Sequence, residues 1–149
     1  MREFKFRAWV REEDERYSHM VDSPRSIITI LEHILMVGRP MGFSDCDSRP
    51  YPERYVLMQY TGYKDRNGRE VYEGDIYAME EYRHGEKIVT YWAVVWDETK
   101  YSFSLVANIE KQYRGEKYRQ DVYLPLRFID GNKMEYAGNI YENPELMEG

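Results

Sequence analysis

The stretch KIVTYWAVVW, residues 87–96, decides the fold of this 149-residue chain. It is rich in β-branched and aromatic residues, which favour a β-strand. Successive strand residues point to opposite faces of a sheet, and here both alternating sets are apolar. One set is Trp92, Val94 and Trp96, and the other is Tyr91, Ala93 and Val95. A strand that is apolar on both faces lies at the centre of a sheet or barrel, or at a subunit interface.

Further strand patterns lie on both sides of this stretch, separated by turn signals. We predict strands at Tyr55–Tyr60, Asp75–Glu80, Tyr101–Val106 and Asp121–Phe128. The sequence Asp-Arg-Asn-Gly at residues 65–68 is a strong turn signal, because glycine can take the positive φ that a type I turn followed by a bulge requires. Short, closely spaced strands without crossover helices indicate an antiparallel sheet or a small barrel.

Two similar sequences, YRHGEK at residues 82–87 and YRGEK at residues 113–117, are interpreted as the ends of two hairpins. The second lies within residues 110–120, where cations alternate with tyrosines: Lys111, Tyr113, Arg114, Lys117, Tyr118 and Arg119. Cations that follow phosphates, beside aromatic rings that stack on bases, are suited to single-stranded nucleic acid. The alternative is a solvated hairpin tip, since four cations less two glutamates leave this segment at only +2.

The first 54 residues are predicted to form an arm made of a strand, a helix and a linker. Apolar residues alternate with charged ones within Glu3–Val10, and residues 17–20 can pair back onto that strand. Ser23 is placed to cap a helix that begins at Pro24. Helical spacing then relates Ile27, Ile28, Leu31, Ile34 and Leu35, with Gly38 placed to end the helix. A strand through residues 26–31 is the alternative, because β-branched residues cluster there.

Composition excludes several classes of site. The chain carries a formal charge of −6, which argues against a large nucleic-acid footprint, and its one cysteine, Cys46, excludes an intramolecular disulfide. His19, His33 and His84 are far apart, without metal-ligand spacing. We find no nucleophile–base pair and no glycine-rich phosphate loop. No catalytic, cofactor-binding or metal-binding residue is therefore predicted. We expect a cytoplasmic protein, because no apolar run approaches the roughly 20 residues that span a membrane.

Three separated blocks of the chain form one pattern. They are FKFRAW at residues 4–9, MQYTGYKDRNGREVYEGDI at residues 58–76, and GNIYENPE at residues 138–145. In this order they resemble the YopX family of phage and prophage proteins. The resemblance implies a phage or prophage origin, in a host bacterial cytosol, and a C-terminal barrel similar to SH3-like folds. It implies no reaction and no site residue.

The residues of the second block have a structural interpretation. Gly62, Gly68 and Gly74 are placed where the backbone turns sharply. Asp75 can accept hydrogen bonds from nearby backbone N–H groups and so fix the start of the next strand. We favour this structural role over a binding role.

These observations predict a mainly β protein, with the strand-plus-helix arm at 1–54 and an antiparallel SH3-like barrel or roll at 55–149. The expected function is that of a non-enzymatic phage accessory protein that binds other proteins or assembles with itself as a homo-oligomer. Exchange of the N-terminal arm between subunits is one possible route to such assembly. The alternative functions are nucleic-acid association through residues 110–120 and an enzyme whose site assembles only in space.

Overall fold

The computed structural model describes residues 3–12, 15–25, 27 and 55–148, which are mostly strand. Their strands are β1 (Phe6–Val10), β2 (His19–Val21), β3 (Tyr55–Lys64), β4 (Glu70–Tyr72), β5 (Asp75–Arg83), β6 (Glu86–Asp97), β7 (Ser102–Tyr113), β8 (Glu116–Pro125) and β9 (Glu135–Asn139). Helical turns lie at Glu15–Tyr17, Phe128–Gly131 and Pro144–Met147. No helix in these parts of the chain is long and apolar enough to cross a membrane.

Two units make up the chain, Met1–Tyr60 and Thr61–Gly149, and the division lies within β3. The predicted boundary, after Arg54, lies just before the first residue of that strand. In the first unit, β1 pairs antiparallel with β2 and with β3. The predicted return of the chain onto the first strand is therefore present.

The first unit has a small apolar core of Ala8, Val10 and Ile27. Pro24, Arg25 and Ile27 are helical, and the Ile27 N–H donates to the Ser23 carbonyl at 2.9 Å. The described residues cover only the first turn of the predicted helix. Its continuation, the predicted cap at Gly38 and the linker up to residue 54 lie outside the described residues and stay predictions.

The second unit contains a five-stranded antiparallel sheet with the order β8-β7-β6-β5-β9. Its middle strand is β6, and both faces of that strand are buried, with Val94 0% and Ala93 4% exposed. The prediction of a mainly β, antiparallel fold around residues 87–96 is confirmed. The main core lies on one face of the sheet and contains Val71, Tyr77, Trp92, Val94, Leu105, Ala107, Ile129 and Met134.

Two hairpins extend beyond the sheet. β6 and β7 pair only from Ala93 opposite Val106 to Asp97 opposite Ser102. β5 and β6 nevertheless stay paired to their turn, and so do β7 and β8. We call these hairpins the 78–91 arm and the 108–121 arm.

Both arms end in two-residue turns of the same kind. His84 and Gly85 have φ of 54° and 85°, and Arg114 and Gly115 have φ of 52° and 88°. Positive φ at both central residues is the requirement of the type I′ turn, which matches the twist of a hairpin. The interpretation of the two similar sequences as hairpin ends is confirmed.

One predicted strand end was wrong, and two strands were not predicted. The strand predicted at Asp121–Phe128 ends at Pro125, because the chain turns there into the short helix Phe128–Gly131. β4 was missed because three residues are too few to show a period. β9 was missed because Gly138 lies within it, and its pairing with β5 is shifted between Ile76 and Tyr77.

Candidate functional site: a cleft between two hairpin arms

A cleft of about 600 Å³ lies between the 78–91 arm and the 108–121 arm. Its apolar lining consists of Met79, Ile88, Val89, Tyr91, Trp92, Ile109, Leu146 and Met147. Its polar lining includes Glu81, Arg83, Glu110 and Arg119, so both signs of charge are present. The cleft exists because β6 and β7 separate beyond Ala93 and Val106.

The backbone of β6 faces this cleft at alternate residues. The Val94 carbonyl accepts a hydrogen bond from the Gly74 N–H at 2.8 Å, so Val94 directs its backbone groups toward the β5 side. Both backbone groups of a strand residue point to the same side, and the side alternates along the strand. The N–H and C=O groups of Lys87, Val89 and Tyr91 therefore point away from β5 and into the cleft.

The same reasoning applies to β7 on the other wall. Ala93 faces β7 and lies opposite Val106, so Val106 faces β6. By alternation, Asn108, Glu110 and Gln112 direct their backbone groups into the cleft. Within the described part of the chain, no strand pairs with either edge.

The β6 wall combines this open edge with exposed apolar side chains. Ile88 is 38% exposed and Val89 is 39% exposed, which is high for β-branched residues in a strand. Trp92 also lines the cleft, and its buried indole N–H has no hydrogen-bond partner. A buried donor without an acceptor costs about 1–3 kcal/mol.

The residues predicted to contact nucleic acid lie near the tip of the 108–121 arm, and all of them are exposed. Residues directly opposite each other share a face, so the pairing of Lys111 with Tyr118 puts these two on the same face as Tyr113. The Arg114 guanidinium lies 5.2 Å from the centre of the Tyr113 ring. Four of the six predicted residues thus lie together.

The other two, Lys117 and Arg119, are on the opposite face of the arm. Lys117 forms an ion pair with Glu110 at 2.9 Å, and this contact lowers the pKa of Glu110. Lys111 donates to the Gln120 side chain at 3.2 Å. The arrangement separates the cations of the segment instead of gathering them into one field.

Two of the three glycines of the second sequence block, Gly68 and Gly74, lie at turns, with φ of 78° and 83°. Gly62 also has a positive φ, 84°, but it lies within β3, so the turn predicted there is wrong. Buried Asp75 accepts a hydrogen bond from the Tyr72 N–H at 2.8 Å. The Ile140 N–H donates to the Gly74 carbonyl at 2.9 Å, so the second and third sequence blocks meet in space.

A second polar cluster, which the sequence interpretation missed, surrounds buried Asp65. One carboxylate oxygen accepts the N–H groups of Asn67 and Arg69, at 2.9 and 3.0 Å, and the other accepts the Tyr77 hydroxyl at 3.1 Å. Burial, and then the charge of Asp65, raises the pKa of Tyr77. The Arg69 guanidinium lies 3.4 Å from the centre of the Tyr136 ring. An aspartate three residues before a turn glycine was the available signal for this cluster.

Asp130 links the short helix Phe128–Gly131 to Tyr63 and to the turn at residues 65–68 by hydrogen bonds. It accepts the Tyr63 hydroxyl at 2.5 Å and the Arg66 N–H at 2.9 Å. The hydrogen bond to Asp130 is the main cause that raises the pKa of Tyr63 to about 12. Both phenols act as hydrogen-bond donors to these carboxylates.

Among the described residues, no group of three or more His, Cys, Asp or Glu side chains is placed to hold a metal ion. His19 is exposed in β2, and His84 lies in the turn of the 78–91 arm. His33 and Cys46 lie outside the described residues.

Comparison with known proteins gives one family match. The family described as YopX protein matches residues 5–148. No curated protein matches the sequence. Among solved structures, the crystal structure of protein EF1440 from Enterococcus faecalis matches over 99% of each chain, with 20% sequence identity and a TM-score of 0.42.

Proposed function

The chain belongs to the YopX protein family, and from this premise we propose that it is a phage- or prophage-encoded accessory protein that binds polypeptides and catalyses no reaction. Its binding site is the cleft between the two arms, and it acts in the cytosol of the bacterial host. We also propose that residues 55–149 form an SH3-like barrel or roll. The sharp glycine turns that precede its strands support that assignment.

The observation that carries the proposal is the open β6 edge at residues 87–91. An extended polypeptide can add to such an edge as a further strand, with affinity from backbone hydrogen bonds and specificity from alternate side chains. Lys87, Val89 and Tyr91 offer the backbone groups, and Ile88 and Val89 offer apolar contact. Because the lining carries both signs of charge, it selects neither a strongly acidic nor a strongly basic segment.

The polar cluster of the second unit supports a structural rather than a catalytic role. Both oxygens of Asp65 accept hydrogen bonds, and two of the three donors are backbone N–H groups. Asp130 is engaged in the same way by Arg66 and Tyr63. A general base needs a carboxylate within reach of a substrate proton, whereas these carboxylates hold a turn and a helix in place.

A screen of random displayed peptides against the immobilised chain tests the proposal. Val89→Pro removes the N–H that points into the cleft and leaves the bonds to β5, whereas Val89→Thr keeps both the N–H and the branched shape. We expect the screen to enrich peptides with alternating β-branched or aromatic residues. These peptides should bind the Val89→Thr variant and should not bind the Val89→Pro variant. Failure to enrich any peptide, or equal binding to both variants, would contradict the proposal.

A second candidate function is binding of single-stranded nucleic acid, favoured by the shared face of Lys111, Tyr113 and Tyr118. The negative net charge of the chain and the Lys117–Glu110 ion pair weigh against it. Titration with a labelled oligothymidine at two salt concentrations decides the matter. Binding that weakens steeply with salt and is lost in Tyr118→Ala would support this function, and no binding at low salt would remove it.

A further inference from the structure

We infer that the occupant of the cleft is a second copy of this chain, whose β6 pairs antiparallel with the first β6 about a two-fold axis at Val89. This inference rests on the proposed strand addition and names the partner. It would join the two sheets of the pair edge to edge, in the order β5-β6-β6-β5.

The register follows from the backbone directions. Three successive residues of β6 in the arm face the cleft, Lys87, Val89 and Tyr91, and Val89 is their centre. When two identical antiparallel strands meet about that centre, Val89 lies opposite Val89 of the second copy, and Lys87 lies opposite Tyr91. Each of these residues then exchanges both of its backbone hydrogen bonds with its partner. Any other centre leaves at least one cleft-facing residue without a counterpart.

The side chains in this register are compatible. Lys87 of each copy lies beside Tyr91 of the other, which is a favourable arrangement of a cation and an aromatic ring. Ile88 lies opposite Thr90, and Val89 packs on itself, so no like charges face each other.

The other edge does not share this self-complementarity. Asn108, Glu110 and Gln112 face the cleft from β7, and a two-fold axis at their centre places Glu110 opposite Glu110. Like charges directly opposite each other destabilise a strand pair. Pairing of β6 with β7 of another copy would instead be head-to-tail, which forms a closed ring or an open chain of copies rather than a two-fold pair.

The β6 edge carries few of the features that natural edges use to avoid pairing, and its one edge-facing charge, Lys87, lies at the end next to the turn. Protected edges carry inward-facing charges, prolines or bulges. Residues 86–92 contain no proline, the β5–β6 register runs without a shift, and the charges lie at Glu86 and Lys87, next to the turn. The β7 edge has a charge at its centre, Glu110. Of the two described edges that face the cleft, the β6 edge is therefore the one suited to pairing with its own copy.

Cysteine cross-linking in a Cys46→Ser background tests this register. Opposite residues of a hydrogen-bonded antiparallel pair have Cα atoms about 5.5 Å apart, within the range of a disulfide. We expect Val89→Cys to give a covalent dimer under mild oxidation, reversed by reductant. Lys87→Cys is the matched control on the same strand and face. Its two copies would lie about 13 Å apart along the strand, so it stays monomeric alone but cross-links when mixed with Tyr91→Cys.

A monomeric Val89→Cys chain would overturn the inference, and so would a Glu110→Cys chain that cross-links as readily. Far-UV circular dichroism of each variant checks that the sheet is intact. The peptide screen distinguishes strand addition to the β6 edge from the identity of the added strand. Selected peptides that depend on the Val89 N–H, together with a monomeric Val89→Cys chain, would remove the second copy as the partner and leave strand addition standing. If no peptide is selected and no covalent dimer forms, both strand addition and the second copy as partner are refuted.

Discussion

Replacement of Asp65 by alanine should destabilise the second unit strongly. The substitution removes one acceptor that serves two backbone N–H groups and the Tyr77 hydroxyl. Hydrogen bonds to a charged group contribute about 1.5–3 kcal/mol each, and the hydroxyl is buried, so it would be left without a partner. Because the backbone donors of the turn can be hydrated, we expect a loss of about 3–5 kcal/mol rather than the full sum.

Urea unfolding followed by tryptophan fluorescence measures this loss. The Trp9→Phe background is used so that the signal comes from Trp92 and Trp96, which both lie in the second unit. Tyr77→Phe is the matched partner, because it removes the donor together with its bond, and should cost about 1–1.5 kcal/mol. In that background Asp65→Ala should cost less than it does alone. A loss below about 0.5 kcal/mol for Asp65→Ala would refute the role given to this carboxylate.

The remaining predictions concern a close contact and two titrations. Gly138→Ala should destabilise the second unit, because φ is 146° and the Asn143 side chain, whose Oδ1 would lie 2.1 Å from the added Cβ, would have to move. An unchanged unfolding midpoint would contradict this. Hydrogen bonds from Thr99, and then from Lys100, lower the pKa of Asp97 in the folded protein. The contribution of Asp97 to stability is therefore present above its unfolded pKa and is lost as the pH falls through its folded pKa. Asp97→Asn should make the free energy of unfolding less dependent on pH in the acid range. The pKa of Tyr63 is raised from about 10 to about 12, so its contribution is present below pH 10 and is lost between these values. Tyr63→Phe should lose that alkaline slope, and an unchanged slope in either variant would argue against the assignment.

Local sequence patterns were sufficient for the elements that depend on local chemistry. Residues 87–96 are apolar on both faces, and this property alone places β6 in the middle of the sheet. The turns at residues 84–85 and 114–115 need positive φ at both central residues, and glycine is the second residue of each.

Long-range geometry was beyond the sequence. The pattern shows that β6 and β7 are strands, but it does not show that they separate beyond Ala93 and Val106, and the cleft exists only because of that separation. Similarly, no local sequence pattern links Asp65 to Tyr77, so the hydrogen bond between them could not be predicted. The cation and tyrosine segment was recognised at residues 110–120, but its division between two faces depends on the register of the hairpin.

Amide hydrogen exchange along β6, resolved by residue in NMR at low and high protein concentration, tests the central claim most directly. At low concentration the N–H groups of Ile88 and Thr90, which face β5, should exchange slowly, and those of Lys87, Val89 and Tyr91 should exchange quickly. At high concentration the second set should become protected as the edge is filled. Equal protection of Val89 and Thr90 at low concentration, or no change with concentration up to the solubility limit, would contradict the account.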